Sequence, residues 1–119
     1  MSNRAIESPA TEEPRCPACG TPQSVATILA AAPRHWPAVR AATFRCGACG
    51  TEVATRLAPG RLALGYIYAA GAAHFSTEAE YAAPSITGVW EAPDGLHVRI
   101  AAGQGREQEL VLRSATAEG

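Results

Sequence analysis

The chain has 119 residues and a formal net charge of -1, and 47% of its residues are hydrophobic. This apolar fraction excludes a wholly disordered chain. The length fits one domain or two very small ones. The near-neutral charge argues against a strong binder of nucleic acid. The charge is uneven, because residues 15–61 contain six arginines and one acid, whereas residues 62–119 contain three arginines and seven acids.

Residues 1–14 (MSNRAIESPATEEP) combine Ser, Pro, Thr and Glu without periodicity, which predicts a disordered tail. They lack the apolar segment of a secretory signal, and no apolar stretch of the chain reaches the roughly 18 residues of a membrane span. We therefore expect a cytoplasmic protein with no membrane partner. In a reducing compartment, four cysteines in two tight pairs favour metal binding over disulfides.

The strongest motif is a repeated Cys-x2-Cys-Gly knuckle, CPACGT at 16–21 and CGACGT at 46–51. Two residues between the cysteines let both thiolates of a tight turn point at one ion. The glycine that follows each pair permits a positive φ, and the N–H groups of the turn can then donate to the sulfur atoms. The sequence thus predicts one structural zinc ion, with iron as a minor alternative, held by Cys16, Cys19, Cys46 and Cys49 and supported by Gly20 and Gly50.

CPACG followed by FRCGACG resembles the zinc-ribbon group, in which two such knuckles accompany a three-stranded sheet. It is also similar to rubredoxin, whose related knuckles hold iron. The resemblance covers residues 15–58 and implies a zinc ribbon there. Transcription-elongation ribbons carry an Asp-Glu pair that this spacer lacks, so their role in assisting a polymerase is not implied. Residues 61–114 carry no such resemblance.

The elements expected in the ribbon are short. Residues 23–29 fit a strand or a short helix, and residues 31–39 (AAPRHWPAV) predict a loop because they contain two prolines. Residues 42–45 and 52–57 flank the second knuckle and predict strands, since they include β-branched and aromatic residues.

A Pro-Gly pair at 59–60 separates the ribbon from residues 61–114. Residues 62–68 are compatible with a strand, and Thr77 and Glu80 at capping-box spacing predict one or two turns of helix over 76–83. An alternation of period two, interrupted by turns at 92–95 and 103–105, then predicts a three-stranded antiparallel meander with one apolar face. The fold class is therefore a small β-rich protein with one short helix, whose two units are either separate or share one core.

Arg34, His35 and Trp36 lie between two prolines and are candidate contacts for a partner, because Arg and Trp are favoured at interfaces. The alternative, which we favour for Trp36, is that it packs over the ribbon as a small core. His97 falls on the polar face of a predicted strand, where we expect a solvated side chain. No histidine lies in a catalytic motif, and four thiolates close the metal site. We therefore expect no enzymatic activity unless His74 or His97 meets acidic partners in a pocket.

The leading functional hypothesis is a non-catalytic adaptor or accessory subunit on a larger protein. The alternative is a nucleic-acid-binding module of the transcription type, and a less favoured one is an iron electron carrier. In the nucleic-acid hypothesis, arginines of the ribbon contact phosphates and aromatic residues stack on bases, although the aromatic residues also fit a core. The arginines are Arg34, Arg40, Arg45, Arg56 and Arg61, and the aromatic residues are Tyr66, Tyr68, Phe75, Tyr81 and Trp90.

Overall fold

The computed structural model describes residues 13–32, 34–68 and 74–114, without the side chain of Ala102. Nearly all of the tail predicted over residues 1–14 lies outside these ranges. The described residues form one helix and eight strands, which confirms the predicted β-rich fold with a short helix. The elements are α1 (Val25–Ala30), β1 (Arg34–Trp36), β2 (Ala41–Arg45), β3 (Glu52–Ala58), β4 (Gly60–Tyr68), β5 (His74–Ala83), β6 (Ile86–Ala92), β7 (Gly95–Gly103) and β8 (Arg106–Ser114).

All eight strands belong to one sheet with the order β5-β4-β3-β2-β1-β8-β7-β6. Neighbouring strands are antiparallel except at β1 and β8, which run parallel with Arg34 opposite Arg113 and His35 opposite Ser114. The sheet is therefore mixed. Its single parallel pair joins the cysteine-bearing half to the predicted meander, which is present as β6, β7 and β8.

The main core lies between the two halves of this sheet. Edge strand β6 contacts β3 and β4, so the sheet curls over and both halves turn their apolar faces to the same interior. Helix α1 adds Ile28 and Leu29 to that interior, and the Ser24 hydroxyl caps the helix by accepting from the Thr27 N–H at 3.1 Å. The strands contribute Phe44, Val53, Leu62, Leu64, Ile86, Val98 and Leu112, together with the buried cysteines Cys16 and Cys46.

The helix predicted over residues 76–83 is wrong, because β5 occupies this segment. β5 pairs with β4 along its whole length, from Gly60 opposite Ala83 to Tyr68 opposite His74. A continuous backbone ladder satisfies many more N–H and C=O groups than one capping interaction could. The helix signal was thus a single favourable spacing, which long-range pairing outweighs.

The loop predicted over residues 31–39 is only partly right. Arg34–Trp36 form β1, which pairs with β2 on one side and with β8 on the other. Pro37 follows this three-residue strand and removes no donor from its ladder, and Pro33 lies outside the described residues. In the described ranges, no helix has the length and apolar character needed to cross a membrane.

Candidate metal centre

The first knuckle is a tight turn closed by backbone hydrogen bonds. The Cys16 N–H donates to the Thr21 carbonyl at 3.0 Å, and the Gly20 N–H donates to the Cys16 carbonyl at 2.7 Å. The Ala18 N–H points at Cys16 Sγ, 3.4 Å away, and Arg15 Nη1 donates to the Gly20 carbonyl at 3.1 Å. The Cys16 sulfur is therefore held inside the turn with an N–H group directed at it.

The second knuckle, which joins β2 to β3, repeats this geometry. The Cys46 N–H donates to the Thr51 carbonyl at 3.0 Å, and the Gly50 N–H donates to the Cys46 carbonyl at 2.9 Å. The Ala48 N–H points at Cys46 Sγ at 3.4 Å, and Arg45 Nη1 donates to the Gly50 carbonyl at 2.8 Å. The repeated sequence Arg-Cys-x-Ala-Cys-Gly-Thr thus gives two copies of one turn.

The glycine of each knuckle adopts the backbone conformation expected from its position. Gly20 has φ 79° and Gly50 has φ 76°, in the left-handed region that glycine enters without steric cost. The glycines therefore support the turn, whereas the N–H groups nearest the sulfurs belong to Ala18 and Ala48. The sequence motif alone did not identify these alanines or the bracing arginines.

The four cysteine sulfurs form one compact cluster in which all atoms lie within 4.8 Å of one another. Cys16 Sγ lies 3.9 Å from Cys49 Sγ, and Cys19 Sγ lies 3.8 Å from Cys46 Sγ. A tetrahedron with metal–sulfur bonds of about 2.3 Å has edges of about 3.8 Å, whereas a disulfide requires about 2.05 Å. The cluster therefore fits one tetrahedral ion, and a four-thiolate donor set suits zinc or iron.

The two sides of the cluster differ in exposure. Cys16 and Cys46 are each 1% exposed, whereas Cys19 and Cys49 face solvent. On the buried side, the side-chain amide of Gln23 donates from Nε2 to Cys46 Sγ at 3.1 Å. Gln23 is itself buried. Sequence analysis did not identify Gln23 as a contact of the sulfur cluster. The only indication in the sequence was its position as a polar residue between a knuckle and an apolar helix.

The thiol pKa values reflect these surroundings. Burial raises the pKa of Cys16 to about 11. Backbone hydrogen bonds from Cys49 and Ala48 lower the pKa of Cys46, and hydrogen bonds to Thr51 lower that of Cys49 to about 6. Because a metal binds thiolates, occupation of this site would displace the Cys16 proton against the effect of burial.

The three candidate partner contacts lie on opposite faces of β1. Arg34 is exposed, and Trp36 is half-buried with its Nε1 donating to Thr43 Oγ1 at 3.4 Å. His35 is 1% exposed, so its side chain does not have the accessibility that a docking contact needs. Neither of its ring nitrogens has a hydrogen-bond partner in the described part of the chain, although Nε2 lies 3.4 Å from the carboxylate of Glu91. Burial lowers the pKa of His35, which keeps this interior ring neutral.

The solvated side chain expected for His97 is wrong, because its side chain is only 14% exposed. Its Nδ1 lies 2.7 Å from Glu109 Oε2 and its Nε2 lies 2.8 Å from Asp94 Oδ1. The ring also stacks on Trp90 with a centroid separation of 5.3 Å. The hydrogen bond to Asp94, followed in size by that to Glu109, raises the pKa of His97. The hydrogen bond between His97 and Asp94 in turn lowers the pKa of Asp94. A histidine ring donates from both nitrogens only when it is protonated, and both nitrogens of His97 face a carboxylate. His97, Asp94 and Glu109 are therefore suited to structural ion pairing.

We predict that His97→Gln destabilises the protein mainly at acidic pH. Because the folded-state pKa of His97 is raised, the contribution of His97 to the free energy of unfolding is fully present below pH 6.5, the ordinary pKa of the side chain. That contribution is lost as pH rises through the folded-state pKa. Urea unfolding of parent and variant between pH 5.5 and 9 should show a difference that shrinks toward alkaline pH. His74→Gln, on an exposed residue of β5, is the matched control, and a pH-independent difference for His97→Gln would contradict the prediction.

Comparison of the chain with protein-family models, with curated proteins and with solved structures found no significant match. The assignment of a metal site therefore rests on the geometry of the four sulfur atoms. That geometry is consistent with the knuckle pair of a zinc ribbon.

Proposed function

We propose that the protein is a non-catalytic zinc-binding adaptor or accessory subunit that docks on a larger protein. The observation that carries this proposal is the cluster of four cysteine sulfurs with tetrahedral spacing. Four protein ligands leave no coordination position for a substrate. The ion would therefore stabilise the fold of the protein and would not take part in the chemistry of a bound substrate.

The location of the first knuckle supports a structural role for the ion. This knuckle lies outside the eight-stranded sheet and has only an isolated bridge between Arg15 and Pro22. Its sulfur atoms lie close to those of the second knuckle, and Gln23, which follows it, donates a hydrogen bond to Cys46. A shared ion would pin the first knuckle, and helix α1 behind it, against the β2–β3 hairpin.

The edges of the sheet support the docking part of the proposal. β5 and β6 end the strand order, so each has one side without a neighbouring strand in the described ranges. β5 is ten residues long and carries the exposed acids Glu78 and Glu80. Exposed strand edges pair readily with strands of other proteins, and edge charges limit this to suitable partners.

Native mass spectrometry of protein isolated at its natural expression level tests both parts. We expect one zinc ion per chain and an assembly of fixed stoichiometry that is heavier than the 12.3 kDa chain. A zinc-bound chain found only at 12.3 kDa would contradict the docking role while leaving the metal site intact. Iron in place of zinc would redirect the proposal to electron transfer.

A second candidate function, nucleic-acid binding, is favoured by one feature of the register. Pairing across β1–β4 places four exposed arginines on the same face of the sheet, opposite the main core. All four already take part in intramolecular interactions. Arg61 pairs with Glu80 at 3.5 Å, the Arg56 guanidinium lies 4.5 Å from the centre of the Phe75 ring, and Arg45 Nη1 donates to the Gly50 carbonyl. The four residues are Arg34, Arg45, Arg56 and Arg61.

A salt series separates the two candidates. If the arginine face binds phosphates, affinity for single-stranded DNA or RNA must fall steeply as salt increases, and Arg45→Gln must weaken it more than Arg106→Gln on β8. The adaptor proposal predicts no measurable affinity even at low salt. Fluorescence anisotropy with labelled oligonucleotides distinguishes these outcomes.

A further inference from the structure

A cleft opens where β3 and β4 separate. Their pairing runs from Ala58 opposite Arg61 to Ala54 opposite Gly65 and ends there, although β3 begins at Glu52 and β4 continues to Tyr68. Beyond Gly65, β4 stays paired with β5 after a register shift. The strands therefore diverge beside the second knuckle and leave a cavity of about 430 Å³, a volume typical of small-ligand sites.

Aromatic side chains dominate the wall of this cleft. It is lined by Trp36 of β1 and by Tyr66 and Tyr68 of β4, with apolar residues between them. Tyr68 is 52% exposed, and none of the described residues makes a hydrogen bond to either tyrosine hydroxyl. Aromatic rings carry a negative face that attracts a cation, and three aromatic residues line this one cavity.

The charges at the cleft favour the same kind of ligand. Glu52 is the only carboxylate among the described residues that line the cleft, and no described cation lies within ion-pair distance of it. Arg45 stands opposite Glu52 in the register, but its Nη1 is bonded to the Gly50 carbonyl. Arg34 lies on the same sheet face without lining the cleft.

We infer that this cleft binds an organic cation, namely a methylated ammonium group on a short alkyl chain. Methyl groups suit the apolar lining, the positive charge interacts with the ring faces, and the Glu52 carboxylate supplies a counter-charge at the rim. The group can be carried by a free amine or by a methylated lysine of a partner protein. This inference goes beyond the adaptor role, because the cleft can be occupied whether or not the edge strands dock.

Choline and its neutral isostere 3,3-dimethylbutan-1-ol provide the direct test. Both are titrated into the metal-loaded full chain carrying Trp90→Phe, so that Trp36 is the sole tryptophan and its fluorescence reports the cleft. We expect choline to bind and the isostere to bind roughly 5- to 30-fold more weakly, the factor that a cation–π contact supplies. Equal affinity for the two ligands, or no response to choline, would overturn the inference. Tighter binding of adenosine monophosphate than of choline would also overturn it and would indicate a base-stacking site.

Variants locate the bound cation and exclude unfolding as the cause of a lost signal. Glu52→Gln should weaken choline binding by about 2- to 5-fold, as expected for an exposed ion pair, and Glu80→Gln, an exposed acid on the same sheet, is the matched control. Tyr68→Leu should have a similar effect to Glu52→Gln. Zinc content and melting temperature must stay at parental values in every variant. A trimethyllysine tripeptide that binds more tightly than choline would identify a protein as the source of the cation, and the reverse order would identify a free amine.

Discussion

Cys46→Ala should leave the chain without its metal ion and without a cooperative fold. Cys46 Sγ is one of the four clustered sulfurs and also accepts the hydrogen bond from the buried Gln23 amide. A structural zinc ion contributes on the order of 10 kcal/mol to folding, which equals the whole stability of a typical small domain. Elemental analysis should find less than one zinc per chain, and thermal melts followed by circular dichroism should lose their sigmoidal transition.

Two control variants separate the loss of a ligand from the loss of a buried side chain. Val53→Ala truncates a buried residue of the same hairpin, and it should cost roughly 2 kcal/mol while keeping the ion and the transition. Cys49→Ala removes an exposed ligand and should be as damaging as Cys46→Ala, because the ion needs all four thiolates. If the effect followed burial instead, with Cys49→Ala mild and Cys46→Ala similar to Val53→Ala, the structural-metal proposal would fail.

The cysteine cluster could be predicted from the sequence because its geometry is local. Each knuckle is specified by seven consecutive residues, and the second copy repeats the first with one change, Pro17 to Gly47. The same holds for β6, β7 and β8, whose alternation and turns are all contained within 86–114. Features of this kind need no knowledge of which distant segments meet.

The errors all concern segments whose structure depends on distant partners. β5 follows from pairing with β4, and the period-two pattern of Ala79, Tyr81 and Ala83 was the signal in the sequence that the capping-box spacing obscured. β1 is stabilised between β2 and β8, and β8 lies more than 70 residues further along the chain. No local pattern encodes such a parallel contact, and the two prolines of residues 31–39 by themselves predict a loop.

The same limit explains the two histidines. His35 is buried because β1 places alternate residues on the core face, which the predicted loop could not indicate. His97 acquires Glu109 as a partner through the register of β7 with β8, and Asp94 through the turn before β7. The residue types were visible in the sequence, but their neighbours were not.

Gly65→Ala should destabilise the protein strongly while leaving the four cysteines in place. A Cβ at Gly65 would lie 1.9 Å from the Ser76 carbonyl oxygen and 3.2 Å from the Glu78 nitrogen. These are backbone atoms of β5, so no flexible side chain can move aside, and β4 or β5 must shift. We expect a cost of at least about 3 kcal/mol, the upper end for overpacking, measured by urea unfolding of the metal-loaded protein.

Gly88→Ala in edge strand β6 is the matched control for this substitution. The nearest atoms to a Cβ there are a Trp90 ring carbon at 3.5 Å and Arg99 Cβ at 3.6 Å, which is ordinary contact. Its effect should stay within about 1 kcal/mol, since alanine also reduces the conformational entropy of the unfolded chain. Because Gly65 lies where β4 leaves β3, Gly65→Ala should also weaken choline binding in any fraction that remains folded, whereas Gly88→Ala should not. Equal stabilities of the two variants would mean that β5 does not approach β4 as closely as this register requires. The separation of β3 and β4 that forms the cleft would then need a different structural explanation.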